Sequence, residues 1–281
     1  MTIAEALKKG MIELKNANIE SPKLKSRLLM QFTLNKPRQY VIVNDMEELN
    51  KNIEKKYFDA ILKMKNGIPI EHITHQKEFM KLNFFVDESV LIPRQDTEIL
   101  VEEVISIAKR INARKILDLC TGSGAIAVSL AKYLPEAEIT AIDISNEALK
   151  VAKKNAVNNE VEKQITFINS DMFTNLNNEK FDIIVSNPPY IRKSIIDTLD
   201  EEVKKEPHIA LDGGEDGLYF YKKIIKESYQ YLKYGAYLCL EIGYDQKEDV
   251  IKIIESENKF ENTYSKKDLY DNDRIIITRI R

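Results

Sequence analysis

Residues 115–134 read KILDLCTGSGAIAVSLAKYL, so an apolar run, a turn with two glycines and a second apolar run follow one another. The first run has the length and composition of a buried strand, and the second has the length of a helix that Pro135 would end. Gly122 and Gly124 permit a tight turn and a close approach of the backbone to a ligand. The first N–H groups of the helix are then free to bind that ligand. The stretch predicts a strand, a ligand-binding loop and a helix.

The same alternation continues downstream. Further helices are predicted from Glu98, over about 147–158 and over about 218–232, and further strands over 138–144, 165–171, 181–187, 236–243 and 274–280. Strands that alternate with helices predict a parallel sheet that is covered on both faces.

The N-terminal part of the chain has a different pattern. Apolar residues recur at helical spacing up to about residue 65, which predicts a small helical bundle. Ser21 and Pro22 have the residue types of an N-cap and a first helical turn. Residues 78–92 are rich in aromatic and branched residues and predict a short hairpin. The expected division is a helical domain over 1–75, a hairpin linker over 76–93 and an α/β domain over 94–281.

Composition limits the classes of function. A chain of 281 residues with 43% hydrophobic residues predicts a globular protein. We expect no transmembrane helix and no signal peptide, because no apolar run has transmembrane length and the first 20 residues lack a compact apolar core. Cys120 and Cys239 lie in apolar strand-like runs, so we expect unpaired thiols in a reducing cytoplasm. The three histidines lack metal-ligand spacing, so no metal is expected. The net charge of −3 disfavours binding through many nucleic-acid phosphates, although a local basic patch would escape this argument.

Three interpretations fit the glycine loop. The first is a turn without a ligand. The second is a dinucleotide site, since residues 122–127 satisfy G-x-G-x-x-A. The third is a site for S-adenosylmethionine (SAM). Asp118 favours SAM, because a carboxylate repels a pyrophosphate and attracts a sulfonium and an ammonium. Asp143 ends the next strand and is placed to accept from ribose hydroxyls. Asp171 and Met172 follow the third strand and could bracket an adenine, and a plain turn is an equal alternative.

Residues 186–191 read SNPPYI and follow a buried strand. Asn187 and Pro188 each precede a proline and are therefore extended, so the corner is rigid. It offers two hydrogen-bond acceptors, the Asn187 side-chain oxygen and the Pro188 carbonyl, with Tyr190 as an aromatic wall. Two acceptors match the two donors of a planar –NH₂ group. They would hold this nitrogen in line with a methyl sulfonium and stabilise the charge that develops on it, which predicts methyl transfer to an amide or aromatic amine.

In combination these segments resemble class I SAM-dependent methyltransferases that methylate amino groups. The whole chain resembles the release factor glutamine methyltransferases, the HemK/PrmC family. The matching segments are VLIPRQDTE (90–98), ILDLCTGSGAIA (116–127), SNPPYI (186–191), EPHIALDGGEDGLYFY (206–221), LEIGYDQ (240–246) and DLYDNDRII (268–276).

The resemblance implies a Rossmann-like, mostly parallel seven-stranded sheet, with a small N-terminal helical bundle that docks the substrate and a β-hairpin between them. It implies methylation of N5 of the glutamine in the Gly-Gly-Gln motif of class 1 peptide chain release factors, with no membrane or direct nucleic-acid partner. The implied cofactor contacts are Thr121, Gly122, Ser123, Gly124, Ala125, Asp143, Met172 and Asn187. The implied substrate contacts are Asn187, Pro188, Pro189 and Tyr190, of which Asn187, Pro188 and Tyr190 are the catalytic set.

The chain departs from the family pattern at a few positions. Cys120 replaces a usual glycine, Gln95 a usual proline, and Met172 stands where some members have tryptophan. His75 and Lys81 occupy hairpin positions often held by glycine. These departures affect the expected shape of the cofactor pocket and of the hairpin turn.

Several alternatives stay open at the level of sequence. Arg94, Thr97 and Glu98 either line the cleft or form a helix cap with an interdomain ion pair. The glycines of residues 213–217 either belong to a mobile cover or satisfy a connection that needs positive φ. Glu241 either faces the cleft or is a buried carboxylate paired to backbone. The rival functions are a DNA or RNA amino-methyltransferase, acting on adenine N6 or guanine N2, and a catalytically silent SAM- or nucleotide-binding module.

Overall fold

A computed structural model describes the whole chain, residues 1–281, and divides it into two compact units. The first unit contains Met1–His75 and Asp200–Lys205, and the second contains Gln76–Leu199 and Glu206–Arg281. The hairpin region, predicted as a separate linker, thus belongs to the second unit. The segment Asp200–Lys205, predicted within the α/β domain, belongs to the first, where Glu202 pairs with Lys25 at 2.9 Å. None of the helices combines the length and apolar character needed to cross a membrane.

The first unit is the predicted helical bundle. Its helices are α1 (Ile3–Asn16), α2 (Pro22–Leu34), α3 (Arg38–Val43), α4 (Lys51–Lys65) and α5 (Ile70–Thr74). Pro22 begins α2 and Ser21 occupies the N-cap position, both as predicted, but the Ser21 side chain does not cap the helix. Ser21 has a φ of 51° and its side chain makes no capping bond, because an N-cap residue needs extended backbone to reach the first turn.

The second unit contains the β-strands and six further helices. The helices are α6 (Asp96–Ile111), α7 (Ala125–Tyr133), α8 (Asn146–Asn158), α9 (Lys193–Ile196), α10 (Tyr219–Ser228) and α11 (Lys247–Ser256). The strands are β1 (Lys77–Phe79), β2 (Leu82–Phe84), β3 (Lys115–Leu119), β4 (Glu138–Asp143), β5 (Ile165–Asn169), β6 (Phe181–Ser186), β7 (Leu232–Glu241), β8 (Phe260–Lys267) and β9 (Asp273–Ile280). Strands β1 and β2 form the predicted hairpin, and the other seven form one sheet.

The seven-stranded sheet confirms the predicted fold class. Its strand order is β5-β4-β3-β6-β7-β9-β8, with parallel pairs from β5 to β7 and antiparallel pairs at β9 and β8. Alternate residues of β3 enter different cores. Ile116 packs with apolar residues of α6, α7 and α8, whereas Leu117 packs with those of α10 and α11. Helices therefore cover both faces, as the nearly continuous apolar strands predict.

The strand order places the predicted motifs side by side. Strand β3 lies between β4 and β6, and Leu119 is in register with Ile142 on one side and Ser186 on the other. Gly122 and Asn187 lie in the loops after β3 and β6, and Asp143 is the last residue of β4. The chain turns to opposite sides of β3, and such switch points in open α/β sheets form ligand crevices at the carboxyl ends of the strands.

Candidate active site

A cavity of about 250 Å³ lies at the carboxyl ends of the central strands. Five of the predicted site residues line it: Gly122, Asp143, Met172, Asn187 and Pro189. The other six predicted residues, which do not line it, are Thr121, Ser123, Gly124, Ala125, Pro188 and Tyr190. The structure thus brings together one residue or more from each predicted motif, and the remaining residues belong to the surrounding loops.

The two glycines of the loop have different surroundings. Gly122 has a φ of 53°, and a Cβ built on it would meet no atom within 4 Å, so this position leaves open space beside the cavity. Gly124 has a φ of 78°, and its Cβ would lie 3.0 Å from the Cβ of Ala152 on α8. The first glycine therefore leaves room for a ligand, and the second permits close packing of two helices.

Cys120 adopts a backbone conformation that favours glycine. Its φ is 60°, in the left-handed region, and it lines the cavity. Burial, with the nearby carboxylates of Asp143 and Asp118, raises the pKa of its thiol well above the ordinary value. The thiol is therefore protonated at neutral pH and is not a nucleophile.

Asp143 links the glycine loop to the start of α8. Its Oδ2 accepts from the Gly122 N–H at 2.8 Å, and its Oδ1 accepts from the Ser145 N–H at 2.9 Å. Burial raises the pKa of this carboxyl, and the backbone N–H groups oppose the shift because they stabilise the charged form. Each carboxylate oxygen retains capacity for a further hydrogen bond from a ligand in the cavity.

Asp118 is placed behind the loop. It is fully buried and does not line the cavity, and its Oδ2 accepts from the Thr121 hydroxyl at 2.6 Å. Burial raises its pKa to about 7. Asp118 therefore braces the loop from within, which differs from the direct electrostatic role on which the sequence argument relied.

The segment after β5 contributes another wall. Asp171 and Met172 both line the cavity, Asp171 also pairs with Lys223 at 2.9 Å, and Met172 is 5% exposed with a φ of 50°. Asp171 therefore belongs to a turn and also lines the cavity, so the two alternatives considered for it do not exclude each other. A carboxylate next to a buried thioether suits the amino edge and the face of a purine.

The corner after β6 presents two acceptors. The Nδ2 of half-buried Asn187 donates to the Thr97 hydroxyl at 3.2 Å, so its Oδ1 points away from this bond. Neither Asn187 Oδ1 nor the carbonyl of buried Pro188 accepts a hydrogen bond from the chain. Both oxygens thus retain acceptor capacity for a ligand that has N–H donors.

The loop after the corner packs on Tyr190. A Cβ on Gly213 would lie 2.7 Å from the Tyr190 backbone, and one on Gly217 would lie 2.5 Å from the Tyr190 carbonyl oxygen. Gly214 and Gly217 also have positive φ, and Gln246 Nε2 donates to the Tyr190 carbonyl at 3.0 Å. Of the two alternatives for this loop, the structure favours a packed connection that requires glycine.

The three polar residues that precede or begin α6 have separate roles. Arg94 pairs with the buried carboxylate of Glu206, and Glu98 accepts from the Met80 N–H at 2.6 Å. Only Thr97 reaches the corner, through Asn187. The expected helix cap is absent, since α6 has no side-chain capping bond.

Glu241 ends β7 and is 1% exposed. Burial raises its pKa from the ordinary value of 4.5 to about 7, and the Thr97 hydroxyl and the Arg274 guanidinium oppose this shift. Its Oε1 lies 3.4 Å from the Tyr190 hydroxyl. This carboxyl is therefore buried behind the corner, and its partners include side chains of the site.

Sequence reasoning missed part of the cavity wall. The missed lining residues are Ser89, Val90, Leu91, Ile142, Ile144, Ser145, Ala148, Ser170, Pro207, Ile209, Ala210, Tyr219 and Phe220. Most fall within segments 90–98 and 206–221, which had been matched to the family without being assigned to the cofactor pocket. That match was the available signal.

Comparisons with known proteins bear on the whole chain. The family model described as "Methyltransferase small domain" matches residues 95–234, and "PrmC N-terminal domain" matches residues 5–74. The "Release factor glutamine methyltransferase" of Clostridium acetobutylicum is 43% identical over 280 residues, which cover 99% of this chain and 98% of that protein. The protein of the same name from Clostridium botulinum is 41% identical and covers 99% of each chain.

A solved structure is similar at the level of the fold. The hMettl16 catalytic domain, in complex with MAT2A 3′UTR hairpin 6, superposes with a TM-score of 0.58 at 17% identity. The match covers 75% of this chain and 82% of that one. At this identity the similarity supports the methyltransferase fold and carries no information about the substrate.

Proposed function

The chain belongs to the release factor glutamine methyltransferase family, and we propose that it transfers a methyl group from SAM to N5 of the glutamine in the Gly-Gly-Gln motif of class 1 peptide chain release factors. The observation that carries this proposal is the pair of unpartnered acceptors, Asn187 Oδ1 and the Pro188 carbonyl, beside the cavity. A primary amide has two N–H donors on one nitrogen, which matches this pair.

The residues around the cavity fit SAM. Gly122 leaves open space where a side chain would otherwise stand, and Asp143 has acceptor capacity for ribose hydroxyls. Met172 provides an apolar surface for the adenine, and the loop from Thr121 to Ala125 would hold the methionine end. When bound, SAM supplies an electrophilic methyl carbon on a positively charged sulfur.

The chain's own contribution to the reaction is positioning and charge stabilisation. An amide nitrogen is a poor nucleophile because its lone pair is delocalised. Asn187 and Pro188 would hold both N–H groups, direct the nitrogen along the line of transfer and stabilise the positive charge that develops on it. The methylated nitrogen is then acidic enough to release one proton to solvent, so no strong base is required at the corner.

The N-terminal unit, the two cysteines and the net charge bear on the partner and the cellular location of the enzyme. Residues 1–75 would dock the protein substrate, and the enzyme would act in a reducing cytoplasm, where the two free cysteines stay reduced. The nucleic-acid alternative is not favoured. The net charge of −3 offers little phosphate binding, and the full-length relatives carry a protein-methylating name.

The direct test uses the purified chain, SAM and a purified class 1 release factor. Mass spectrometry of the Gly-Gly-Gln peptide should show one added methyl group, and fragmentation should place it on the glutamine. A release factor with glutamate at this position is the matched control and should stay unmodified. Methylation at another residue, or incorporation only into RNA or DNA added in parallel, would contradict the proposal.

A further inference from the structure

Glu241 is a buried carboxyl that the proposed reaction does not use. It ends β7 at 1% exposure, and its Oε2 has no hydrogen-bond partner within bonding geometry. Buried polar atoms are nearly always paired, so an unpaired carboxylate oxygen next to an active site requires an explanation. The side chains near it provide one.

A line of polar groups joins Glu241 to the corner. Asn187 Nδ2 donates to the Thr97 hydroxyl at 3.2 Å, and Thr97 is 4% exposed. The Thr97 O–H has no acceptor of its own, Glu241 Oε2 has no donor, and the Thr97 hydroxyl lowers the pKa of the Glu241 carboxyl. On the other side, the Tyr190 hydroxyl lies 3.4 Å from Glu241 Oε1. The Glu241 carboxyl is thus bonded directly to Tyr190, and the hydroxyl that accepts from Asn187 is near enough to act on it.

We propose that Glu241 is a positioning residue that fixes which end of the Asn187 amide faces the substrate, by keeping the Thr97 hydroxyl as a donor to its carboxylate. This inference rests on the proposed function, because it assigns Glu241 a part in presenting Asn187 Oδ1 to the substrate amide.

The direction of the hydrogen bonds explains how Glu241 would fix the orientation of the Asn187 amide. An ionised carboxylate only accepts, so Thr97 must donate to it, and the Thr97 oxygen is then available only as an acceptor. Asn187 must therefore direct its –NH₂ group to Thr97 and its oxygen to the cleft. If Glu241 is protonated, it can donate to Thr97, and Thr97 can donate to Asn187 Oδ1. The amide then turns and presents donors to a substrate nitrogen that has donors itself.

The charge state of Glu241 depends on groups from several elements. Burial is the largest influence and favours the neutral form, so the pKa is raised to about 7. Asp96 also raises it, whereas Thr97, Arg274 and Tyr190 lower it. The groups that face Glu241 are Asp96 and Thr97 of α6, Tyr190 of the corner, Tyr221 of α10, whose hydroxyl donates to the Glu241 backbone carbonyl at 3.0 Å, and Arg274 of β9.

The kinetic test is Glu241→Gln, which keeps the shape of the side chain but can donate as well as accept. We expect kcat to fall by about 10- to 100-fold, as for the loss of one hydrogen bond with an opposed donor left in its place. The SAM dissociation constant and the KM for the release factor should change by less than about threefold. In the parent enzyme kcat should decline on the acidic side with a midpoint near pH 7, and this limb should disappear in the variant.

Two substitutions at the intermediate position serve as matched controls. Thr97→Ser retains the hydroxyl and should retain the acidic limb, whereas Thr97→Val retains the shape and should reproduce the loss seen in Glu241→Gln. An acidic limb that is unchanged in Glu241→Gln would overturn the proposal.

A second measurement needs neither substrate nor turnover. The side-chain amide signals of Asn187, assigned in ¹⁵N spectra by comparison with Asn187→Asp, should titrate with a midpoint near pH 7 in the parent and not in Glu241→Gln. Signals that stay constant between pH 5.5 and 8.5 in the parent would exclude the proposed role. If they titrate but no release factor is methylated, the proposed function fails while the positioning role of Glu241 stands.

Discussion

The side chain of Asn155 donates to the backbone carbonyl of Ser123 at 2.8 Å and thereby attaches the glycine loop to α8. The same fully buried side chain bonds both backbone groups of Phe85, accepting from its N–H at 2.6 Å and donating to its carbonyl at 2.9 Å. One helical residue thus holds together two irregular segments, one of which forms part of the cofactor pocket.

Asn155→Leu should therefore be strongly destabilising. The leucine has a similar volume but can make none of the three hydrogen bonds to Ser123 and Phe85, and the loss of a hydrogen bond to a buried group costs about 1–3 kcal/mol. We expect the free energy of unfolding to fall by about 3 kcal/mol in urea denaturation. Asn158→Leu, at an exposed position of the same helix, is the control and should change it by less than about 0.5 kcal/mol. Equal effects of the two variants would show that the network does not stabilise the fold.

Asn187→Ala separates methyl transfer from cofactor binding. The substitution removes the oxygen proposed to hold one N–H of the substrate amide, while the glycine loop and Asp143 stay intact. We expect kcat to fall by about 100-fold or more, in the range found for the loss of one preorganised group at a reacting centre. SAM affinity, measured by calorimetry, should stay within a few-fold of the parent. Near-normal turnover would refute the role assigned to Asn187.

Asp143→Ala should have the opposite pattern. It removes the proposed ribose acceptor and the partner of the Gly122 N–H, so SAM affinity in calorimetry should fall by about 10- to 100-fold, equivalent to one or two charge-assisted hydrogen bonds. Glu147→Ala changes an exposed carboxylate in the first turn of α8 and should leave the affinity unchanged. If the two variants bind SAM equally well, Asp143 does not belong to the cofactor site.

The sequence predicted those parts of the fold and of the site that a few neighbouring residues determine. Buried parallel strands form long apolar runs, and the glycines and prolines of the site impose backbone constraints that can be read from a few neighbouring residues. Strand β8 was not predicted because it is an edge strand, and in FENTYSKK only Phe260 is buried. Helix α11 was also missed, since only Val250 and Ile254 of its ten residues are buried.

Contacts between distant residues had no such signal. Thr97 and Asn187 are 90 positions apart, and Asn155 and Phe85 are 70 positions apart. Such pairs depend on where a fold brings separate elements together. The sequence suggested polar roles for Thr97 and Glu241 but could not identify their partners, and it gave no indication that Asn155 supports the glycine loop.

Lys81 offers a test of the departures from the family pattern. Lys81 has a φ of 58° in the turn between β1 and β2, and His75 and Cys120 likewise have positive φ, the conformation that favours glycine. Left-handed backbone costs a residue with a Cβ about 1–2 kcal/mol, part of which glycine loses again through its greater freedom when unfolded. Lys81→Gly should therefore raise the unfolding free energy by up to about 1 kcal/mol. Lys81→Ala keeps the Cβ and should give no gain, and a similar gain in both variants would exclude backbone strain as the cause.

Glu241→Gln should increase stability at the pH at which it reduces activity. Because the folded-state pKa of Glu241 is raised from 4.5 to about 7, the fold favours the neutral carboxyl. The stability that this group contributes is complete below about pH 4.5 and is lost as the pH rises through about 7. At pH 8 the parent bears the cost of a buried charge, and the neutral glutamine does not.

We expect Glu241→Gln to be more stable than the parent at pH 8, by up to about 3 kcal/mol, since each pKa unit corresponds to about 1.4 kcal/mol. The difference should nearly vanish at pH 4, below the ordinary pKa of 4.5, where the Glu241 carboxyl is neutral in both the folded and the unfolded state. Thermal unfolding at the two pH values measures it, with Glu248→Gln at an exposed position of α11 as the control. A variant that is both less active and less stable at pH 8 would indicate that Glu241 serves only the fold. A gain in stability with a loss of turnover is the combination expected of a charge retained for its effect on Asn187.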